Sequence, residues 1–225
     1  MKLSEILDSL ASSELANLNF VDNGDIVEAK IPKIVNAINL GLVKLYTRFK
    51  LKKGFVIFRT SANTLEYALT VSNVMTIDNP YGYIETPSYS GNLIEILKIT
   101  SSDGTEVSFD GSSCLVLLKA DLIKFLTAPE VAYYTVEYSA LPAKVVYTNS
   151  TNIEVELPDV YLHALMLFVA SRFASPVGIS FDANRNSMDM NYLQQYELEC
   201  QRLESLGLDV GNELTLNLFS ERGFV

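Results

Sequence analysis

Residues 153–206 read IEVELPDVYLHALMLFVASRFASPVGISFDANRNSMDMNYLQQYELECQRLESL, and this stretch decides the fold prediction. A strand-like run ends in Leu-Pro-Asp at 157–159, and the acidic residue suits the positive end of a helix dipole. The helix that follows is apolar nearly all round, which is typical of a central, buried helix. It breaks at 175–178, and a second helix over about 187–206 follows, closed by Gly207. No part of the stretch has a catalytic pattern, so it is predicted to be a packing unit.

Both of these predicted helices carry an apolar stripe. The first stripe consists of Tyr161 (or Leu162), Leu165, Phe168, Val169 and Phe173. The second stripe consists of Met188, Tyr192, Tyr196, Cys200, Leu203 and Leu206. Because these residues recur at spacings of three and four, each helix is predicted to bury one face.

The N-terminal part of the chain is also predicted to be helical. A short helix is expected over residues 3–18, followed by an Asn-Gly turn at 23–24 and a long helix over 26–50. The buried stripe of the long helix is predicted to be Ile31, Val35 (or Ile34), Ile38, Leu42, Leu45 and Phe49. Pro32 suits the first turn, where its missing N–H costs nothing, and Gly54 is predicted to terminate the helix.

The middle of the chain has the texture of a β domain. Its strand-like runs are 55–60, 65–69, 93–100, 105–109 and 132–141, and 114–119 is ambiguous between strand and helix. The first two runs are predicted to form a hairpin, and the third and fourth flank an Asp-Gly turn that predicts a second hairpin. Several short strands at this spacing favour a small sandwich or barrel.

Helices at both ends with strands between them predict an α+β fold. The economical arrangement is a helical bundle formed from the N- and C-terminal helices, with an inserted small antiparallel β domain. The predicted divisions are 1–54 (N-terminal helices), 55–157 (inserted β-rich domain), 158–207 (C-terminal helix pair) and 208–225 (extended C-terminal arm).

Composition narrows the class of protein. With 225 residues, 48% of them apolar and 20% charged, the chain can bury a core, and wholesale disorder is not expected. No apolar run approaches the roughly 18 residues that span a bilayer, so no membrane partner is expected. The net charge is −10, yet residues 26–53 hold seven Lys/Arg against one Glu. Such a chain can attract copies of itself, while its net field repels nucleic acid.

The sequence offers no established catalytic or cofactor motif. It lacks HExxH, paired CxxC, GxGxxG, GxxxxGK[ST] and GxSxG patterns, so we expect no enzymatic activity, no cofactor and no metal. His163 is the only histidine, and a partly buried, hydrogen-bonded side chain is its predicted state. Cys114 and Cys200 lack metal-like spacing and are predicted to be reduced core thiols. Glu154 and Glu156 alternate along a strand and indicate a solvated face, against a glycosidase-like carboxylate pair.

Residues 182–193 resemble an EF-hand calcium-binding loop but lack two of its essential positions. Asp182, Asn184 and Asn186 match its first three ligand positions, but Ser187 replaces the turn glycine and Leu193 replaces the bidentate Glu. A polar connection between helices, with capping residues, is the better prediction.

The residues predicted to form an interface are Lys44, Arg48, Lys52, Lys53, Leu214, Leu216, Leu218, Phe219 and Phe224. The basic members allow three readings: a solvated helix end, contact with an acidic neighbouring subunit, or contact with DNA. Lys44 and Arg48 share a helix face, as Arg48 and Lys52 are also expected to do. The tyrosines near turns, which are Tyr81, Tyr83 and Tyr89, are a candidate sugar- or partner-binding surface.

The order of elements resembles that of a known family. N-terminal helices ending in IPKIVNAINLGLVKLYTRFKLKKG lead to a β segment containing LEYAL, then to the strand YTVEYSALPAKV. EVELPDVYLHALMLFVASR and a closing helix, YLQQYELECQRL, complete the series. This order is similar to that of bacteriophage head-to-tail adaptor (connector or neck) proteins, especially the tail-tubular adaptors of short-tailed phages.

The resemblance implies a non-enzymatic structural virion protein. Such adaptors form a ring of copies, typically a dodecamer, that docks below the portal protein, extends the DNA channel and provides a platform for tail or nozzle proteins. DNA would pass without sequence-specific binding, and the protein would lie in the virion neck or tail after assembly in the host cytoplasm. The alternative is a carbohydrate- or receptor-binding β module of a phage tail that uses the tyrosine-rich turns. The 208–225 arm is expected to become ordered on docking.

Overall fold

The computed structural model describes residues 1–16, 20–109, 115–148, 150–173 and 192–207. They form two compact units, one drawn from Met1–Phe49 and the described part of Pro142–Val225, the other from Lys50–Leu141. Helices and antiparallel sheets are both present, so the predicted α+β class is confirmed.

The first unit is mainly helical. Its helices are α1 (Leu3–Ser12), α2 (Ile31–Phe49), α3 (Leu162–Phe173) and α4 (Tyr192–Ser205). A two-stranded ribbon of β1 (Val21–Asp22) and β2 (Asp25–Ile26) lies between α1 and α2 in sequence. The predicted Asn23-Gly24 turn joins these strands, with φ values of 52° and 92° that suit Asn and Gly.

Helix α3 occupies the centre of this unit. It packs against α1, α2 and α4, as its nearly all-round apolar sequence predicts. Leu165, Phe168 and Val169 of the predicted stripe are buried. The Phe168 ring lies 5.4 Å from that of Tyr196 on α4, an edge contact that favours a fixed crossing of the two helices.

Helix α2 meets α3 at a glycine. The whole predicted α2 stripe is buried, from Ile31 to Phe49. At Gly41, an added Cβ would lie 2.5 Å from Leu165 Cδ1 and 2.9 Å from Phe168 Cδ1. The absence of a side chain therefore sets how closely the two helices approach.

The segment that precedes α3 is hydrogen-bonded to the N-terminus of the chain and to α2. The Leu3 N–H donates to the Ile153 carbonyl at 2.8 Å, and the Val155 N–H donates to the Met1 carbonyl at 2.8 Å. The Asn39 amide on α2 makes two bonds to Val145, one to its carbonyl and one from its N–H, each 2.9 Å long. These bonds satisfy backbone groups that lie outside regular secondary structure.

Several predicted helix boundaries are wrong. Helix α1 ends at Ser12 instead of residue 18. Helix α2 ends at Phe49, and Lys50 (φ 49°) follows it in the left-handed region. Gly54 is therefore not the terminator. It lies in a strand, where an added Cβ would be 2.4 Å from Tyr138 Cζ.

The described part of helix α4 runs from Tyr192 to Ser205, with Gly207 (φ 68°) just beyond, as predicted for its terminator. The predicted start, at about residue 187, lies outside the described residues. Tyr196, Cys200 and Leu203 are buried, but Leu206 is 57% exposed because it follows the last helical turn. Met188 of the predicted stripe lies outside the described residues.

The second unit contains two three-stranded antiparallel sheets, in the orders β3–β8–β5 and β4–β7–β6. The strands are β3 (Lys53–Arg59), β4 (Glu66–Ala68), β5 (Leu93–Ser101), β6 (Leu115–Lys119), β7 (Leu122–Phe125) and β8 (Tyr133–Ala140). Both sheets contribute to one apolar core that includes Phe58, Tyr67, Ile99, Phe125 and Val136. This arrangement agrees with the expected small sandwich.

The predicted hairpin between 55–60 and 65–69 is wrong. Strand β3 pairs with β8, and β4 pairs with β7 in the other sheet. The buried Tyr67 hydroxyl accepts a hydrogen bond from the Ser61 N–H at 2.7 Å, which holds the connection as a corner between sheets.

The other predicted strands agree better with the structure. The Asp-Gly turn after β5 is confirmed, with Gly104 at φ 86°, although its return run contributes one bridge, Thr100 to Glu106, instead of a full strand. The ambiguous run 114–119 contains strand β6, and 132–141 contains β8. Strand β7 was not predicted.

Replacing Gly41 with alanine should destabilise the helical unit. The added methyl group meets Leu165 and Phe168, and overpacking of a core costs about 1–3 kcal/mol. Higher helix propensity offsets about 1 kcal/mol of that cost. Urea unfolding followed by far-UV circular dichroism should show a lower midpoint than for Asn36→Ala, a change at an exposed α2 position. A Gly41→Ala protein more stable than Asn36→Ala would contradict the close approach.

Replacing Asn39 with alanine should also lower the free energy of unfolding, for a different reason. The change leaves the N–H and carbonyl of the buried Val145 without their partner, which costs about 1–3 kcal/mol. Asn36→Ala again serves as the control. Equal urea midpoints for the two alanine variants would show that the Asn39 bonds do not hold this segment.

Candidate interaction surfaces

A groove between α2 and α4 contains two of the predicted interface residues. The cleft has a volume of about 370 Å³. Its walls are Val43, Lys44, Thr47, Arg48, Tyr196 and Glu197. Clefts of this size fall within the range of ligand-sized sites, but the few polar groups here do not converge on one point.

Arg48 forms two ion pairs within its own unit. Its Nε donates to Glu204 Oε1 at 2.7 Å and its Nη1 donates to Glu197 Oε2 at 2.5 Å, so one guanidinium joins α2 to two turns of α4. The hydrogen bond with Glu204 raises the pKa of Arg48 and lowers the pKa of that carboxyl below its ordinary value. The predicted role of Arg48 in a contact between subunits stays a prediction, and the side chain already has intramolecular partners.

Lys44 is placed differently. It is exposed on α2 next to Leu40 and Val43, which are 53% and 43% exposed. Leu40 and Val43 are candidates for a partner contact, with Lys44 at its polar rim. Lys44 thus remains the member of the basic run that is best placed to meet a partner.

Lys52 and Lys53 do not lie on the helix. Because α2 ends at Phe49, the predicted shared face of Arg48 and Lys52 is wrong. Lys53 opens β3, and its Nζ lies 2.8 Å from Glu137 Oε1. Lys50 likewise pairs with Glu95 at 2.6 Å. Arg48, Lys50 and Lys53 of the basic run therefore form ion pairs within their own units.

The apolar interface residues of the C-terminal arm lie outside the described residues. They are Leu214, Leu216, Leu218, Phe219 and Phe224. Cys114 and residues 182–191, which make up most of the EF-hand-like segment, also lie outside the described residues. In the described part of the chain, no group of three or more His, Cys, Asp or Glu side chains could hold a metal ion.

His163 is not partly buried, in contrast to the prediction. Its side chain is 58% exposed, and its Nδ1 lies 3.6 Å from Oε1 of Glu199. The Glu199 carboxylate accepts hydrogen bonds from two guanidinium nitrogens of Arg202, Nε at 2.8 Å and Nη2 at 2.6 Å, which lowers the pKa of its carboxyl. Cys200 is a buried thiol, as predicted, and burial raises its pKa, so it is not set up as a nucleophile.

Glu154 and Glu156 are exposed and alternate with the buried Val155 and Leu157. This agrees with the solvated face that the sequence indicates. The Glu156 carboxylate accepts a hydrogen bond from the Ala143 N–H at 3.2 Å, which is a structural use of the group.

The three turn tyrosines do not form one binding surface. Tyr89 is buried, its hydroxyl donates to the Leu69 carbonyl at 2.7 Å, and burial raises its pKa to about 12. The Tyr83 hydroxyl donates to the Ala68 carbonyl at 2.7 Å. Tyr81 alone of the three is exposed, at 94%. The tyrosine-based prediction of a sugar-binding surface is therefore wrong.

Sequence reasoning missed a second exposed apolar residue beside Tyr81. Ile77 is 100% exposed, in the loop that precedes Tyr81. The available signal was a large aliphatic residue placed among turn formers, in TIDNPYGY. Ile77 is therefore a candidate contact residue, one of several exposed apolar side chains on this protein.

These surfaces describe an α+β protein whose exposed features are suited to contacts with other macromolecules. The chain belongs to the SU10 adaptor protein family, whose family model matches residues 1–215. This confirms the resemblance to phage head-to-tail adaptors and implies a place in the neck or tail of the virion. No curated protein matches the chain. Among the described residues, none of the helices has the length and apolarity to cross a bilayer.

Replacing Arg48 with methionine should weaken the helical unit in a pH-dependent way. At neutral pH we expect a loss of about 1 kcal/mol, the upper range for partly exposed ion pairs. The folded-state pKa of Glu204 lies below its ordinary value of 4.5. Its contribution is therefore present above that value and is lost as pH falls through the lower, folded-state pKa.

Thermal unfolding across this pH range measures the effect. The difference in Tm between wild type and Arg48→Met should be constant from neutral pH to about pH 5 and should shrink at lower pH. Arg172→Met, a change at an exposed position at the end of α3, is the control. A difference that does not change with acidification would rule out the ion pairs as its source.

Proposed function

We propose that this chain is a structural, non-enzymatic head-to-tail adaptor. Its copies form a closed ring, a dodecamer in the form that the family resemblance implies, that docks below the portal protein. The ring extends the DNA channel and provides the attachment platform for tail or nozzle proteins. The observation that carries the proposal is the match of the adaptor family model to residues 1–215.

The division of the chain into units supports a finer version of the fold. In this proposal the helices from both ends form one bundle, and the β domain is an insertion into it. The support is that α3 packs against α1 and α2 from the N-terminal side and against α4 from its own side of the sequence. The unit that interrupts this set runs from Lys50 to Leu141.

The charge of the chain suits a channel through which DNA slides. Residues 54–160 hold thirteen acids against five bases, and the whole chain carries −10. Several of the bases are already engaged by acids, as in the Lys124–Glu66 pair at 3.1 Å and the Lys98–Glu106 pair at 2.9 Å. Because the remaining field is negative, phosphates are repelled and the ring would not retain DNA by sequence-independent contacts.

The side chains that could support catalysis favour a non-enzymatic role. His163 faces Glu199, whose carboxylate is bound by Arg202, and Cys200 is a buried thiol. The Glu199 carboxylate is engaged by two hydrogen bonds from Arg202, and burial disfavours the Cys200 thiolate. Association is the mechanism that we propose, with assembly in the host cytoplasm before the virion neck is completed.

Imaging of the purified chain with and without its portal tests this function. We expect negative-stain images and native mass spectra to show closed rings when the portal protein of the same phage is present. A matched mixture with an unrelated phage's portal is the control. A chain that stays monomeric beside its own portal would overturn the proposed function.

A further inference from the structure

Between Tyr192 and Ser205, helix α4 buries a narrow face. Its buried apolar side chains are Tyr196, Cys200 and Leu203, and the fourth buried residue is the carboxylate Glu199. Helix α3, by comparison, buries six apolar residues. Because helices in proteins are stabilised mainly by the packing of an apolar face, α4 is held to the helical unit by a weaker contact than α3.

The buried face of α4 packs against α3. The contact includes the edge packing of the Tyr196 ring on Phe168, with ring centroids 5.4 Å apart. Polar groups lie on the same face: Glu199 Oε1 is 3.6 Å from His163 Nδ1, and two nitrogens of Arg202 bind the same carboxylate. A contact that includes a buried carboxylate removes less apolar surface from water than a wholly apolar contact of the same size.

Polar contacts join α4 to its other neighbours. The Tyr192 hydroxyl donates to the Glu14 carbonyl at 3.4 Å, a long hydrogen bond. Towards α2, a cleft of about 370 Å³ lies between the two helices, and Arg48 reaches Glu197 at 2.5 Å and Glu204 at 2.7 Å. We call Arg48 and these two acids the clasp. All three side chains are partly exposed, so salt screens their attraction.

We propose that α4 opens from the helical unit while α1, α2 and α3 stay folded, and that the clasp sets how often it opens. Segments with few buried apolar side chains open as cooperative units at a lower free energy than the whole protein. Opening breaks the Tyr196 contact and uncovers Phe168, so it changes the surface that α3 presents. This opening is a property of the single chain, so it goes beyond the proposed ring.

Amide hydrogen exchange of the free chain, followed by nuclear magnetic resonance, tests the opening. The amides of residues 197–203 in α4 should share one protection factor, roughly tenfold or more below that of residues 166–172 in α3. Protection in α4 should also fall less steeply with urea, because the opening of one helix exposes less surface than global unfolding. Equal protection and equal urea dependence in the two helices would overturn the proposal.

Asn39→Ala separates opening of α4 from unfolding of the whole unit. The Asn39 bonds to Val145 do not involve α4, so they persist when α4 opens and are lost when the unit unfolds. The variant should therefore lower protection in α3 about fivefold or more and leave protection in α4 unchanged. An equal loss of protection in both helices would show that α4 opens only with the rest of the unit, against the proposal.

Arg48→Met tests the role of the clasp. It should lower protection in α4 about fivefold, the upper range for partly exposed ion pairs, while the control Arg172→Met should match wild type. Arg48→Lys keeps the charge but loses the forked geometry, so its protection should lie between the two. Salt gives the same test without a substitution: 1 M sodium chloride should lower protection in wild-type α4 and have little effect in Arg48→Met. Protection in α4 that responds to neither change would overturn the role of the clasp.

Discussion

The burial of α3 is the constraint on which the helical unit depends. This helix is apolar nearly all round and packs against α1, α2 and α4, so it needs partners from both ends of the chain. Gly41 permits the close approach of α2, because a Cβ there would lie 2.5 Å from Leu165 Cδ1. The Asn39 amide then holds Val145, more than a hundred residues away in sequence, next to α2. The two ends are therefore expected to form one unit late, because non-local contacts carry the cost of loop closure.

The polar clusters of the helical unit have structural roles: Arg48 joins α2 to α4, and Arg202 binds the buried Glu199 on the same helix. Several apolar side chains are exposed for reasons that folding does not explain, and they include Leu40 and Val43 beside Lys44, and Ile77 and Tyr81. Such features agree with membership of an adaptor family.

Local patterns in the sequence predicted the helices and many of the strands. The α2 stripe from Ile31 to Phe49 follows helical spacing, and the Asp-Gly turn at 103–104 is a short-range signal, so both were predictable. The failures are non-local. Gly54 resembled a helix terminator, but the Tyr138 ring on a distant strand requires it. The 55–60 and 65–69 runs were paired wrongly because nothing local shows that β3 pairs with β8.

The candidate surfaces also depend on non-local contacts that the local sequence does not show. The basic run was visible in the sequence, but the pairing of Arg48 depends on Glu197, 149 residues away. Tyr81, Tyr83 and Tyr89 have similar turn-rich surroundings, and only packing distinguishes the buried Tyr89 from the exposed Tyr81. Ile77 was marked in the sequence as an aliphatic residue among turn formers, but its full exposure depends on the geometry of the loop.

The central claim is that this chain works as a ring in the virion neck. A cryo-electron microscopy reconstruction of the neck of the intact virion tests it most directly. We predict a closed ring of this chain below the portal. Density for this chain as isolated copies, away from the portal and at the receptor-binding end of the tail, would contradict it.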